Sequence, residues 1–169
     1  MFKYTCLALA LAPAVCMTAQ ATPEVTAATT IRAAIGNLAT IVANSQTKDL
    51  PAFASEVDSL LARSTPEILA TLEPLTDEQR VAVIVALMQA PECALLMGSL
   101  EPLMSSPAAA ELMPVVAGEA NPAAVAAALP LKTKLQMIDI CSNLLKISIA
   151  LGVDSPTVQA AIGGMFGGE

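Results

Sequence analysis

Apolar positions recur every three to four residues along most of this chain, and proline tends to stand where each run begins. In the first run, Ile31, Ile35, Leu38, Ile41 and Val42 fall within one arc at about 100° per residue. Thr26, Thr29, Asn37, Thr40 and Asn44 fall opposite, which predicts a helix with one buried face. The prolines punctuate rather than interrupt. A cap-type residue directly precedes one at Thr22-Pro23, Thr65-Pro66, Ser106-Pro107, Asn121-Pro122 and Ser155-Pro156. Proline suits the first helical position, where its missing N–H would have no intrahelical acceptor, and Ser, Thr or Asn before it accepts from the first-turn donors. Glu24 and Glu67 follow at once, where the helix dipole favours a carboxylate. Asp49-Leu50-Pro51 and Ala90-Pro91-Glu92 are looser versions, and Thr76 to Gln79 is a capping box without proline.

Helices are therefore expected to start near residues 23, 51, 66, 77, 91, 107, 122, 131 and 156, with no alternating strand between turn signals. The predicted fold class is all-α, a compact irregular multi-helix bundle of short Pro-initiated helices. The alternative is a degenerate helical-hairpin array, because the starts at 91, 107 and 122 are nearly evenly spaced. The helix after Thr76 carries Val81, Val83, Ile84, Val85, Leu87 and Met88 around its circumference, so neighbours are expected on all sides. Between Leu131 and Leu151, Lys132, Asp139, Asn143 and Lys146 form a narrow polar strip, and Cys141 points away from it toward the expected core. The glycines at 163, 164, 167 and 168 predict a flexible tail over residues 163–169.

The first residues change the domain picture. Lys3 precedes a short apolar stretch from Thr5 to Met17, and Ala19-Gln20-Ala21 has the form of an export cleavage site. The expected organisation is a removed signal peptide over 1–21, a single all-α domain over 22–162, and the tail. Cleavage after Ala21 would deliver the chain to the periplasm or the cell exterior, with no membrane-spanning segment left. Loss of Lys3 takes the net charge from −7 to −8, which disfavours nucleic acid and anionic membrane surfaces as partners. Cys6 and Cys16 leave with the leader. In an oxidising compartment the remaining Cys93 and Cys141 are expected to pair as one disulfide.

Composition narrows the chemistry. The chain is 55% hydrophobic but only 2% aromatic, with no His and no Trp. Imidazole bases, His metal ligands and aromatic stacking platforms are excluded. Ser45 to Lys48 matches the S-x-x-K pattern of penicillin-binding enzymes, but Ser142-Asn143 and Lys132-Thr133-Lys134 lack the companion residues, so a solvated loop is the better reading. Ser142 and Lys146 are one turn apart, but Lys146 lies in the polar strip, where water keeps it protonated. The acidic residues are dispersed, so neither a calcium loop nor a metal centre is expected, and the methionines stand too far apart for copper. No catalytic residue and no cofactor is assigned.

What remains is packing and partners. Flexible Leu and Met side chains over Cys93–Met113 form a candidate hydrophobic groove of Leu96, Met97, Leu100, Leu103, Met104 and Met113. The expected function is an exported, non-enzymatic helical protein acting by protein–protein interaction, self-association included, or as a structural component. The alternative is a carrier of a hydrophobic small molecule or lipid held between helices.

Overall fold

The computed structural model describes residues 21–118 and 120–166, and the expected leader lies outside them except for Ala21. Among the described residues the chain is all-α, with no strand. The helices are α1 (Pro23–Ala43), α2 (Leu50–Leu72), α3 (Asp77–Met88), α4 (Pro91–Gly98), α5 (Leu100–Met104), α6 (Pro107–Val116), α7 (Pro122–Ala128), α8 (Leu131–Ala150) and α9 (Pro156–Phe166).

Most boundaries follow the cap-and-proline pattern. The Asp49 carboxylate accepts from Ala52 N at 2.9 Å, Asn121 Oδ1 from Ala123 N at 2.9 Å, and Ser106 Oγ from Ala109 N at 3.1 Å. Thr76 and Gln79 close the expected capping box in both directions. Each bond satisfies a backbone donor that the first turn leaves free. Two helix starts differ from expectation: α5 begins at Leu100, where none is expected, and one expected start is missing. Thr65-Pro66 starts nothing: α2 runs straight through it, with Pro66 inside the helix. The proline removes one backbone bond there, but Val57, Leu60, Leu61, Ile68 and Leu72 stay on one buried face, and that shared burial carries the helix across. The chain from Gly163 to Phe166 is helical, and residues 167–169 of the expected tail lie outside the described residues.

α1 is the hub. Its predicted face packs against α2, α3 and α4, with Ala27, Ala28, Ile31, Ala39 and Val42 buried and the predicted polar positions exposed. The central cluster joins Ala27, Ala28 and Ile31 to Ile68 and Leu72 of α2, Leu75, and Val83 of α3. α1 is long and apolar enough to cross a membrane by length and composition, the test an export signal also passes, and 28% of its apolar window is buried within this fold.

Two helices sit differently from expectation. α3 packs mainly on α1 and α9, so Val83 alone of its residues is buried and Met88 is 48% exposed. A helix apolar all round is thus covered on two sides rather than on every side. α8 lies against α2 through Thr133, Gln136, Ile140 and Ile147, a face about a quarter turn from both the polar strip and Cys141. Cys141 is therefore exposed, Cys93 sits half-buried on α4 against α1, and both thiols are free. The expected Cys93–Cys141 bridge is not formed, because the two cysteines belong to helices that pack on different partners.

Two further ties fix the ends of the bundle. Gly152, at φ 78°, closes α8 with backbone bonds from Gly152 N to Ile149 O and from Val153 N to Ser148 O, a left-handed cap. Ser155, at the start of α9, donates its hydroxyl to Asp77 Oδ2, while Arg80 Nη1 donates to Asp77 Oδ1 at 3.0 Å. Asp77 at the N-terminus of α3 thus anchors α9.

Candidate functional site

The predicted groove is only partly where the sequence places it. Leu103, Met104 and Met113 line one apolar cleft of about 190 Å³, together with Leu50, Phe53, Ala108, Ala109 and Leu112. A second cleft of about 170 Å³ shares Leu50, Phe53 and Leu112 and continues to Met137, Ile140 and Cys141 of α8. The two adjoin at these shared residues over the start of α2, and together they make an apolar trough open to solvent. Leu96, Met97 and Leu100 line neither half. They belong to α4 and α5, which pack beside α1, and Met97 is 67% exposed.

The trough is built from residues of four helices, α2, α5, α6 and α8. On α2, Leu50, Phe53, Ala54 and Val57 recur at three and four residues and so share a face. α6 brings Ala108 and Ala109 to the floor and Leu112 and Met113 one turn on. Its first turn is pinned twice: the Ser106 hydroxyl donates to Leu103 O at 2.6 Å, and Ala108 N donates to Lys48 O at 3.1 Å. The small side chains at 108 and 109 let α6 approach α2 closely while leaving space above them. Phe53 is one of only three phenylalanines in the chain, and that rarity is the signal the sequence offers for the trough's centre. Ala108 and Ala109 carry no such signal, since alanine is common along this chain.

The candidate chemistry from sequence is not assembled there. Ser45 is fully buried in the α1–α2 turn with its hydroxyl unpartnered, which corrects the solvated-loop reading at that residue, although Gln46 and Thr47 are exposed. Lys48 pairs with Glu56 instead of approaching Ser45. Ser148, not Ser142, makes the side-chain-to-backbone bond on α8, to Leu144 O at 2.9 Å. No cluster of three or more metal-ligating side chains occurs among the described residues.

The resolved electrostatic tie lies elsewhere. Arg32 of α1 grips Glu92 at the head of α4 with two parallel bonds, Nε to Oε2 at 2.9 Å and Nη2 to Oε1 at 3.0 Å. The Arg32 hydrogen bonds, then the α4 backbone, hold the Glu92 carboxyl below its ordinary value of 4.5. A carboxylate with a lowered folded-state pKa stabilises above the unfolded value and loses that contribution as pH falls through the lowered one. Hydrogen exchange of the α4 amides should therefore be slow and flat from pH 7 to 5, after correction for intrinsic rates, and accelerate below pH 4. Glu92→Gln should remove that pH dependence. Acid acceleration that survives in Glu92→Gln would exclude this pair as its source.

No known protein family, curated protein or solved structure matches this chain.

Proposed function

We propose that this is an exported, non-enzymatic helical protein that acts by binding a partner protein, with the trough over Phe53 receiving the partner's apolar side chains. The observation that carries this reading is the trough itself: its lining is apolar, both clefts are open to solvent, and four separate helices, α2, α5, α6 and α8, supply its lining. An aromatic anchor flanked by flexible Met104, Met113 and Met137 suits an inserted aliphatic side chain from a helix. Export supplies the setting, with the mature chain beginning at Thr22, and N-terminal sequencing of exported material tests that start.

A selection of helical peptides against the folded protein tests the trough. Peptides enriched on the native surface should lose about tenfold or more in affinity for Leu112→Glu, the expected loss when a central contact is replaced by a charge. Equal binding to both proteins would exclude the trough as the docking site.

The carrier reading has one observation in its favour, the continuity of the two clefts past Phe53. Against it, both clefts are open rather than enclosed, and even together they reach only the lower end of the roughly 300–1,000 Å³ typical of small-molecule sites. Native mass spectrometry of gently purified protein separates the two: co-purified lipid favours the carrier, and a bare chain favours the partner-binding reading.

A further inference from the structure

Opposite the face that α8 turns to α2, the same helix carries a second apolar stripe. Leu131, Leu135, Ile138, Leu145 and Ile149 are exposed by 72, 52, 62, 61 and 55%. With the half-buried Ser142 they are spaced alternately four and three residues apart, so all six fall within about 80° of arc. That spacing is the a/d pattern of a two-helix seam, with Leu135, Ser142 and Ile149 at a and Leu131, Ile138 and Leu145 at d. A surface helix with one ordinary buried face has no need of it.

We infer that this stripe is a self-association face, on which α8 of a second copy packs parallel and in register. Three observations select that occupant and direction. The first is charge. Lys134 falls at g and Asp139 at e, so in a parallel pair Lys134 of each copy faces Asp139 of the other, giving two reciprocal ion pairs. In the fully overlapped antiparallel pair, Lys132 instead meets Lys146 and Asp139 meets Asp139. The Lys134 ammonium uses one hydrogen on Ala127 O at 3.1 Å and has two more to offer. The second is the central layer. Ser142 is the one small polar residue in the stripe, and a parallel register sets it against its own copy, whereas the antiparallel one sets it against Ile138.

The third is area. The five apolar side chains expose on the order of 500 Å² per copy, so two faces brought together reach about the 1,000 Å² that a specific interface must clear. The helix is already formed and held by α2, so pairing does not have to order it. This face lies apart from the Phe53 trough, and the inference stands or falls independently of it.

Sedimentation equilibrium on the natively purified protein should give twice the protomer mass. The double variant Ile138→Lys/Leu145→Lys should give the protomer mass with unchanged helical circular dichroism, since both side chains are exposed and their loss leaves the core intact. Leu95→Lys/Met97→Lys, equally exposed on α4, should remain dimeric. Lys134→Glu should weaken the dimer at least about fivefold, and adding Asp139→Lys should restore it by reversing the pair. With Cys93 and Cys141 changed to serine in protein that lacks the leader cysteines, Ser142→Cys should link two copies when glutathione disulfide is added. The two introduced thiols, one from each copy, give up two protons and two electrons, and one glutathione disulfide becomes two glutathione thiols. A native protein that stays monomeric at about 100 µM, where even a 10 µM interface would be largely paired, overturns the inference. So does a dimer that survives the α8 substitutions, or one in which Ser142→Cys fails to link.

Discussion

Leu72→Ala is expected to lower the free energy of unfolding by about 2–5 kcal/mol, a large share of the roughly 5–15 kcal/mol that a domain of this size has to lose. Leu72 is fully buried at the end of α2, within the cluster formed by Ala27, Ile31, Ile68, Leu75 and Val83. The space left by the missing atoms cannot close easily. Leu75 is held by a backbone bond to Leu72 O at 3.1 Å, the capping box fixes the start of α3 just beyond it, and α1 closes the other side with Ala27, which has no side chain long enough to fill the gap. Urea denaturation followed by circular dichroism checks this: the midpoint should fall while the slope stays constant. A loss below about 1 kcal/mol would mean that the site collapses around the smaller residue.

Gly152→Ala should be the most damaging single-methyl addition among the glycines described. The left-handed backbone at φ 78° costs a residue with a Cβ about 1–2 kcal/mol. The added carbon would also stand 3.2 Å from Val158 Cγ2 and 3.3 Å from Arg80 Cδ, adding about 1 kcal/mol or more of overpacking. Val158 is fully buried and cannot retreat. The strain should also spread, because the turn continues into Ser155, whose hydroxyl holds Asp77. The built-in control is Gly98→Ala. There the backbone is helical and a Cβ meets nothing within 4 Å, so the same substitution should stabilise by about 0.5–1 kcal/mol. Paired thermal melts should move in opposite directions. A Gly152→Ala melt that matches the native protein would show that the turn can leave the left-handed region without consequence.

The contrast between these two glycines mirrors what the sequence made legible. Helix starts were readable because their causes are local: a cap residue, a proline and a carboxylate within one turn settle where a helix can begin, as at Ser106-Pro107 and Asn121-Pro122. Pro66 escaped that logic because the buried face from Val57 to Leu72 is stronger than one missing bond, and its strength depends on α1 lying against it. Burial on α3 and α8 was less legible for the same reason. A helix apolar on more than one side fits several orientations, and the choice falls to its neighbours. On α8 that choice buried Thr133 and Gln136 and exposed Cys141, while Cys93 sits on α4 against α1, so the expected disulfide is not formed. Half of the groove, Leu103, Met104 and Met113, was legible from Met and Leu content. Leu50, Ala108 and Ala109 were not, since they matter only through the contact of α2 with α6.

The pairing of α2 with α8 also has a schedule. The two helices form the most extensive contact in the fold, yet a long stretch of chain separates Leu72 from Leu131. At about 5–20 residues per second, several seconds of synthesis pass between the completion of α2 and the arrival of the first turn of α8. α1, α3 and α4 can assemble in that interval, because they follow one another closely. The side of α2 that α8 will cover cannot, and neither can the half of the trough built from Met137 and Ile140. For those seconds the growing chain presents the side of α2 that α8 will cover with nothing yet to pack on it.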